Sequence, residues 1–298
     1  MVCELVGTFL PEDSDSLQDR KRRHIRTLFG LCYILDKNIA LRSGRPPLLS
    51  EDYYDLTLMD TAVGGTELFH GYGDDLELSL VRERTCRLLY SQKAAKLSDG
   101  ELLQRIRQLD DELEQWRLSI PVPIRPRLSV NLDFNPAIGN QQNKLIRFQL
   151  DYHYTLIAIH TMVRKCGASN EETALPEDLH SVVHSSVDLS LEAARSTLRF
   201  LRFPLRVSLE AFLYVQSYAP AAAMALFINV MVHPDGDSSQ TDLETLIQAV
   251  GTFQSIPLES LSSTETQEIQ MLNEYIMELV RLASCAIWKD KMAKTESN

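Results

Sequence analysis

The 298-residue sequence lacks the short motifs that identify most enzymes. It has no Gly-x-Ser-x-Gly nucleophile elbow, no P-loop, no complete dinucleotide-binding fingerprint and no closely spaced pairing of cysteine with histidine. Gly71 and Gly73 have no third glycine after them and no apolar strand before them, so they predict an ordinary loop. The absence of these motifs removes the commonest hydrolase, nucleotide-binding and redox assignments.

Cysteine is scarce and scattered. The five cysteines are odd in number, and no two have the spacing of a zinc ribbon or a redox pair: Cys3, Cys32, Cys86, Cys166 and Cys285. No N-terminal signal peptide is recognisable in the sequence. We therefore expect reduced, mostly buried thiols in an intracellular protein.

Positive charge is in short supply, since the formal net charge is -11 and the pI is about 5.2. Nucleic-acid phosphates are bound by clustered lysine and arginine, so direct nucleic-acid binding by this chain alone is not predicted. The exception is one dense basic run: Arg20, Lys21, Arg22, Arg23 and Arg26. This run fits a nuclear import signal or a nucleic-acid contact, and equally the solvated first turns of a helix.

No segment has a convincing strand pattern, and no internal repeat is present. Apolar residues recur instead at spacings of three and four, which predicts an all-α protein of about seven to eight or more helices. We expect one irregular multi-helix domain over residues 19–289, between an acidic segment, 1–18, and a polar tail, 290–298. The predicted helices span residues 19–43, 76–97, 99–119, 141–165, 176–203, 211–232, 242–254 and 263–289.

The most hydrophobic segment, Ala211 to Val232, has the length to span a bilayer. Gln216, Ser217, Pro220 and Asn229 interrupt it, and its flanks carry little charge. A buried core helix with a kink is therefore the favoured interpretation, and no membrane association is predicted.

The helix predicted over residues 19–43 is the centre of the interpretation. Six residues at spacings of three and four form one apolar stripe, which we expect to face the packed helices: Ile25, Leu28, Phe29, Cys32, Leu35 and Ile39. Ser43-Gly44 gives the chain a flexible exit, and Pro46-Pro47 cannot continue the helix. The sequence therefore predicts a sharp turn at this point.

Asp36 lies beside this apolar stripe. A carboxylate at the border of an apolar face needs a partner, because burying an unpaired charge is costly. Arg45 just past the turn and Arg26 further up the helix are the candidates nearest in sequence. We expect Asp36 and Arg45 to lock the helix to the loop that follows it.

The order of apolar helix, aspartate, Gly-Arg-Pro turn and acidic segment between Arg26 and Asp55 resembles the fungal-specific transcription factor domain. This domain is the helical middle homology region of fungal zinc-cluster transcription factors. Residues 109–126, a helix that ends in tryptophan followed by a proline-rich exit, are similar to a later part of the same domain. The residues that carry the resemblance are Arg26, Phe29, Asp36, Gly44, Arg45, Pro46, Trp116 and Pro121.

The resemblance implies a nuclear protein that controls transcription, commonly of metabolic or secondary-metabolite gene clusters. Such a domain would act through protein partners of the transcription machinery, a dimer partner or a small-molecule effector. The family's six-cysteine zinc cluster cannot be built here, because Cys3 is the only cysteine in the first thirty residues. We therefore expect no zinc cofactor, and the family's first helices are expected to be missing from this chain.

One alternative is a helical enzyme that acts on diphosphates. Asp110, Asp111 and Glu114 match the aspartate-rich pattern with which terpene synthases hold magnesium, and residues 170–177 loosely match their second metal motif. However, the acidic residues of the first pattern avoid the apolar seam of their own helix and are expected to face solvent. No catalytic or metal-binding residue is therefore assigned.

Histidines offer no better metal site. His180 and His184 share a helix face but lack the glutamate of an HExxH motif, so a surface or capping pair is expected. His153 and His160 lie beside apolar residues on another helix and are expected to be satisfied histidines in the core or at its rim.

Overall fold

The structure is a computed structural model that describes residues 16–50, 72–129, 142–166, 177–203, 211–257 and 261–296. These residues form helices and connecting turns, and none of them lies in a strand. The chain divides into two compact units, Met1–Pro121 and Val122–Asn298. The all-α fold class is confirmed, whereas the domain boundaries expected at residues 19 and 289 stay a prediction.

Eight α-helices cover most of the described residues, numbered here in chain order. They are α1 (Ser16–Ser43), α2 (Tyr72–Leu89), α3 (Asp99–Ser119), α4 (Gln142–His160), α5 (Glu177–Phe200), α6 (Ala211–Val232), α7 (Ser239–Gln254) and α8 (Ser263–Glu296). Short 3-10 helices follow α2, α3 and α4, at Ala94–Lys96, Val122–Ile124 and Thr161–Lys165.

In the first unit, α2 packs against both α1 and α3. The seam predicted on α3 is confirmed, because all five of its residues are buried: Leu102, Ile106, Leu109, Leu113 and Trp116. Burial of each such side chain contributes roughly 2 kcal/mol. The start of α3 is also as predicted, since Ser98 and Glu101 form a capping box through reciprocal side-chain to backbone hydrogen bonds.

The face of α1 that the fold buries differs from the predicted one. Four of the six residues in the predicted apolar stripe are exposed: Leu28, Cys32, Leu35 and Ile39. Tyr33, Lys37 and Ala40 are buried in their place. The prediction was wrong because it ranked side chains by their own hydrophobicity, whereas a lysine can be buried when another helix supplies its partners.

In the second unit, α6 is the central helix and packs against α4, α5, α7 and α8. Its bounds are as predicted, and the helix continues through Pro220. Its residues 215–232 are long and apolar enough to cross a membrane, and half of that window is buried inside the fold. Because α6 uses its apolar surface to contact four helices, the prediction of a core helix is confirmed, and the predicted kink stays a prediction.

A polar network joins three helices of the second unit. Asp242 of α7 is fully buried. One of its carboxylate oxygens lies 2.5 Å from Nε of Arg195 on α5, and the other accepts a 2.8 Å hydrogen bond from Nδ2 of Asn229 on α6. Asn229, which interrupts the apolar run in the sequence, is therefore a structural partner in the core.

The other helix boundaries differ modestly from the predicted ones. Helix α2 begins at Tyr72 and ends at Leu89, so the loop prediction is wrong at Gly73, which lies in the first turn, while Gly71 lies outside the described residues. The proline-bearing linker predicted after α3 begins with a 3-10 helix in which Ile124 is buried. Helix α8 continues to Glu296, through the segment assigned to a polar tail.

His153 on α4 is fully buried, as the sequence predicts for a satisfied core histidine. Its Nε2 atom lies 2.9 Å from the carbonyl oxygen of Arg127 and 3.1 Å from that of Leu128. Its Nδ1 atom lies 3.2 Å from Oγ1 of Thr197 on α5. Burial lowers the pKa of His153 to about 4, against the opposing effect of the two carbonyl groups.

Acid is expected to destabilise the second unit through this histidine. Between pH 6.5 and about 4 the unfolded chain binds a proton that buried His153 does not. Stability is therefore retained above pH 6.5 and falls by roughly 3 kcal/mol as the pH drops towards 4. Urea denaturation across this range, compared with His153→Gln, measures the effect. An equal pH dependence in both proteins would contradict it.

Candidate functional site

The candidate site begins at the C-terminus of α1. The helix ends at Ser43, and Gly44 has the positive φ of 65° that other residues adopt only at a cost. The backbone N–H of Arg45 donates a 3.2 Å hydrogen bond to the carbonyl oxygen of Ala40, which closes the helix end in the manner of a Schellman motif. Pro46 follows directly, so the chain leaves the helix axis at this point.

Asp36 holds the loop after this turn against α1. Its Oδ1 atom accepts a 3.0 Å hydrogen bond from the backbone N–H of Leu48, and its Oδ2 atom accepts one of 3.0 Å from that of Leu49. The Nζ atom of Lys37 lies 2.8 Å from Oδ2. Burial alone would raise the pKa of Asp36, but the bond from Lys37 and the two backbone amides lower it below its usual value.

Lys37 carries the connection from α1 to α2. Its side chain is fully buried, and its Nζ atom lies 3.3 Å from Oε2 of Glu83 on α2. The same ammonium lies 4.1 Å from the centre of the Tyr33 ring and donates to the carbonyl oxygen of Leu49. Tyr33 in turn donates its hydroxyl proton to Glu83. Two carboxylates, one ring and one carbonyl therefore satisfy a single buried cation.

A second buried cation reinforces the same helix pair. Arg82 on α2 is 2% exposed, and its Nη1 atom donates to Oδ1 of Asn38 on α1. None of Tyr33, Lys37, Arg82 and Glu83 was among the predicted site residues. A sequence signal for three of them exists. Tyr33 and Lys37 share one face of α1 by their spacing, and Glu83 is an acidic residue that interrupts the apolar pattern of α2.

A cleft of about 550 Å³ lies between the turn after α1 and the adjoining face of α2. Its described lining consists of Ala40, Leu41, Gly44, Arg45, Pro46, Pro47, Ser50, Glu83, Cys86, Arg87, Tyr90, Ser91 and Gln92. Burial raises the pKa of the Cys86 thiol to about 11, so this thiol is neutral at physiological pH. The Gly-Arg-Pro turn therefore forms one side of a concave surface.

The structure corrects the partner proposed for Asp36. Arg45 has an exposed side chain and contributes its backbone N–H to the helix end. The hydrogen bonds to Asp36 come instead from Lys37 and from the amides of Leu48 and Leu49. A lock between helix and loop is present, but backbone amides and a neighbouring lysine form it.

The remaining motif residues have various settings. The ring centroid of Phe29 lies 6.5 Å from that of Tyr33. Trp116 is buried near the end of α3, where its carbonyl oxygen accepts a 2.7 Å hydrogen bond from the Ser119 hydroxyl, and Pro121 is exposed just beyond. The side chains of the basic run Arg20, Lys21, Arg22, Arg23 and Arg26 lie outside the described part of the structure, although α1 includes these positions.

Two acidic side chains of the pattern on α3 form ion pairs with arginines. Glu112 lies 3.1 Å from Arg84 of α2, and Glu114 lies 2.6 Å from Arg117 on its own helix. No cluster of three or more histidine, cysteine, aspartate or glutamate side chains suited to a metal ion occurs among the described residues. Residues 170–176 of the second diphosphate pattern lie outside them.

Three histidines that the sequence offers as metal ligands lie on α4 and α5. His180 and His184 are both exposed on α5, as the sequence predicts for a surface pair. His160 is buried at the end of α4, with its Nδ1 atom 2.8 Å from Oγ of Ser186 on α5. Its expected place in the core is therefore confirmed.

Sequence comparison finds relatives among fungal transcription regulators. Over 249 residues, 77% of this chain, it is 28% identical to an ABC-transporter-regulating transcription factor of Aspergillus oryzae and to the protein of the same name from Aspergillus fumigatus. Over 290 residues, 91% of the chain, it is 24% identical to an uncharacterized transcriptional regulatory protein of Schizosaccharomyces pombe.

The chain spans 27% of the length of each Aspergillus relative and 41% of the Schizosaccharomyces pombe protein. No protein-family profile matches it, and no solved structure is significantly similar. The resemblance to fungal transcription factors is therefore confirmed at the level of named relatives, while the assignment to the specific domain stays a prediction.

The lock at Asp36 gives a direct test of the corrected partners. Asp36→Ala should lower the free energy of unfolding of the first unit by roughly 3 kcal/mol, because it leaves Lys37 buried beside one carboxylate fewer and two amides without their acceptor. Arg45→Ala should change it by less than about 0.5 kcal/mol, because the side chain is exposed. Urea denaturation of the 298-residue chain measures both, and an equal loss in the two variants would rule out the amide lock.

Proposed function

We propose that this chain is the helical regulatory part of a fungal transcription regulator and that it acts in the nucleus. The observation that carries the proposal is the similarity to three fungal regulators, which covers 77 to 91% of the chain. The all-α fold supports it, since the region that the sequence resembles is helical. Neither observation points to catalysis, so the proposed activity is regulation through binding.

Protein contacts are proposed as the means of regulation, rather than direct contacts with bases. The net charge of -11 is unfavourable for binding DNA phosphates. The outward face of α1 offers a surface for a protein: Leu28, Leu35 and Ile39 are 47, 57 and 62% exposed. Large apolar side chains exposed together on one helix are typical of interaction sites. The partner would be a component of the transcription machinery or a second copy of the chain.

The genes under control are proposed to be metabolic or secondary-metabolite genes, as the resemblance implies. The names of the Aspergillus relatives point to a second class, the ABC-transporter genes. A measurement of which transcripts change in a deletion strain can distinguish the two classes of gene.

Deletion of the gene in its fungal host tests the proposal. RNA sequencing should show a coherent set of transcripts that changes in the deletion strain and returns when the gene is restored. Restoration with the Asp36→Ala variant should recover fewer of these changes, because the variant weakens the first unit. An unchanged transcriptome under conditions in which the gene is expressed would overturn the proposed function.

The basic run in α1 is proposed as the nuclear import signal. Replacement of all five basic residues by glutamine should lower the ratio of nuclear to cytoplasmic fluorescence of a tagged protein several-fold, because import receptors recognise clustered positive charge. Fluorescence microscopy in the host fungus measures this ratio.

The matched control removes the same number of charges elsewhere. It replaces five exposed basic residues by glutamine: Lys93, Lys96, Arg107, Lys289 and Lys291. This variant should remain nuclear. If the two variants have equal ratios of nuclear to cytoplasmic fluorescence, the basic run is merely the solvated start of α1.

A further inference from the structure

We propose that the 550 Å³ cleft beside the Gly-Arg-Pro turn binds an organic carboxylate with an apolar body. The cleft lies in the range of roughly 300–1,000 Å³ that is typical of small-molecule sites. The binding step stands on the structure of the first unit alone. Its meaning as an effector site rests on the proposed function.

The walls of the cleft favour an apolar body. Ala40 and Leu41 contribute from α1, Pro46 and Pro47 from the turn, and Tyr90 from the end of the α2 face. An aromatic or fused-ring body can stack on the tyrosine ring and on the flat faces of the prolines. A small inorganic anion would leave these walls unused.

The charges of the cleft favour a carboxylate. Arg45 and Arg87 both line it, and Glu83 is the only acidic residue in its described lining. Glu83 already has two partners, because Lys37 lies 3.3 Å from it and Tyr33 donates to it. The described lining therefore offers two guanidinium groups against one carboxylate that already has partners, in a chain whose net charge is -11. Guanidinium groups bind carboxylates with strong, directional hydrogen bonds.

The cleft is also held in shape before any ligand arrives. Asp36 fixes the loop at Leu48 and Leu49, and Lys37 ties the same loop to α2. A site with a fixed backbone loses little conformational entropy on binding. The Cys86 thiol is neutral at physiological pH, so the wall beside it favours non-covalent binding.

The first experiment compares 2-naphthoate with 2-naphthamide, its uncharged analogue of the same shape. Isothermal titration calorimetry on the full 298-residue chain should show that naphthoate binds about tenfold more tightly, the gain expected from one charge-assisted interaction. Acetate should compete only weakly, since it lacks the apolar body. Equal binding of naphthoate and naphthamide, or no binding of naphthoate at millimolar concentration, would overturn the proposal. Equal competition by acetate would reduce the cleft to a simple anion site and overturn it also.

Variants locate the binding. Arg45→Glu and Arg87→Glu should each weaken naphthoate binding about tenfold while leaving naphthamide unchanged, because they remove the attraction to the carboxylate. Tyr90→Ala should weaken both compounds, because it removes part of the apolar wall. The matched control is Arg107→Glu, which reverses an exposed arginine of α3 outside the cleft and should leave binding unchanged.

Folding must be checked in the same variants, because Arg87 lies on a packed helix. Circular dichroism and the urea midpoint identify any variant that is unfolded, and the milder Arg87→Gln then replaces the charge reversal. An equal loss of naphthoate binding in folded Arg107→Glu and Arg45→Glu would show that the effect comes from the overall charge of the protein. This result would overturn the proposed site.

The outcome is separable from that of the proposed function. Naphthoate binding to the purified chain together with an unchanged transcriptome in the deletion strain would leave the site intact and remove its regulatory role. Altered transcripts without naphthoate binding would leave the regulator intact and remove the site.

Discussion

The burial of the Lys37 ammonium between two carboxylates is the interaction on which the first unit depends. Asp36 approaches it from the same helix and Glu83 from α2, so one cation joins the end of α1, the following loop and the neighbouring helix. Removing one partner of a buried charge typically costs about 3–5 kcal/mol, roughly a fifth or more of the stability of an ordinary domain. The helix pair is therefore defined by a polar centre with apolar packing around it.

The second unit also contains a buried charged group, which has different partners. Asp242 is buried among α5, α6 and α7, and Arg195 and Asn229 satisfy its two oxygens. Val230 and Leu243, which follow Asn229 and Asp242 in the sequence, belong to one core cluster with residues of α8. In both units a buried carboxylate joins neighbouring helices, Glu83 in the first unit and Asp242 in the second.

The link from structure to function passes through the turn after α1. Gly44 and Asp36 place the turn, the turn and α2 form the cleft, and Arg45 and Arg87 line it. The sequence motif that resembles a family of fungal regulators is thus also the segment that shapes the candidate binding site. One turn can stabilise the fold and also form part of a binding site, because a preformed site requires a rigid backbone.

Local chemistry in the sequence was enough to predict much of the fold. The capping box at Ser98, the seam of α3 and the bounds of α6 depend on residues within one helix, and the structure confirms them. The Gly44 turn is equally local, because a helix that meets glycine and then two prolines has no way to continue.

Tertiary structure alone decided which face of α1 is buried and which groups pair with Asp36. A lysine such as Lys37 is predicted at the surface unless the distant Glu83 and the carbonyl group of Leu49 are known to be its partners. Backbone donors carry no sequence signature, which is why Arg45 was the apparent partner of Asp36. The cleft could not be predicted from the sequence either, because it exists only where two separate segments meet in space.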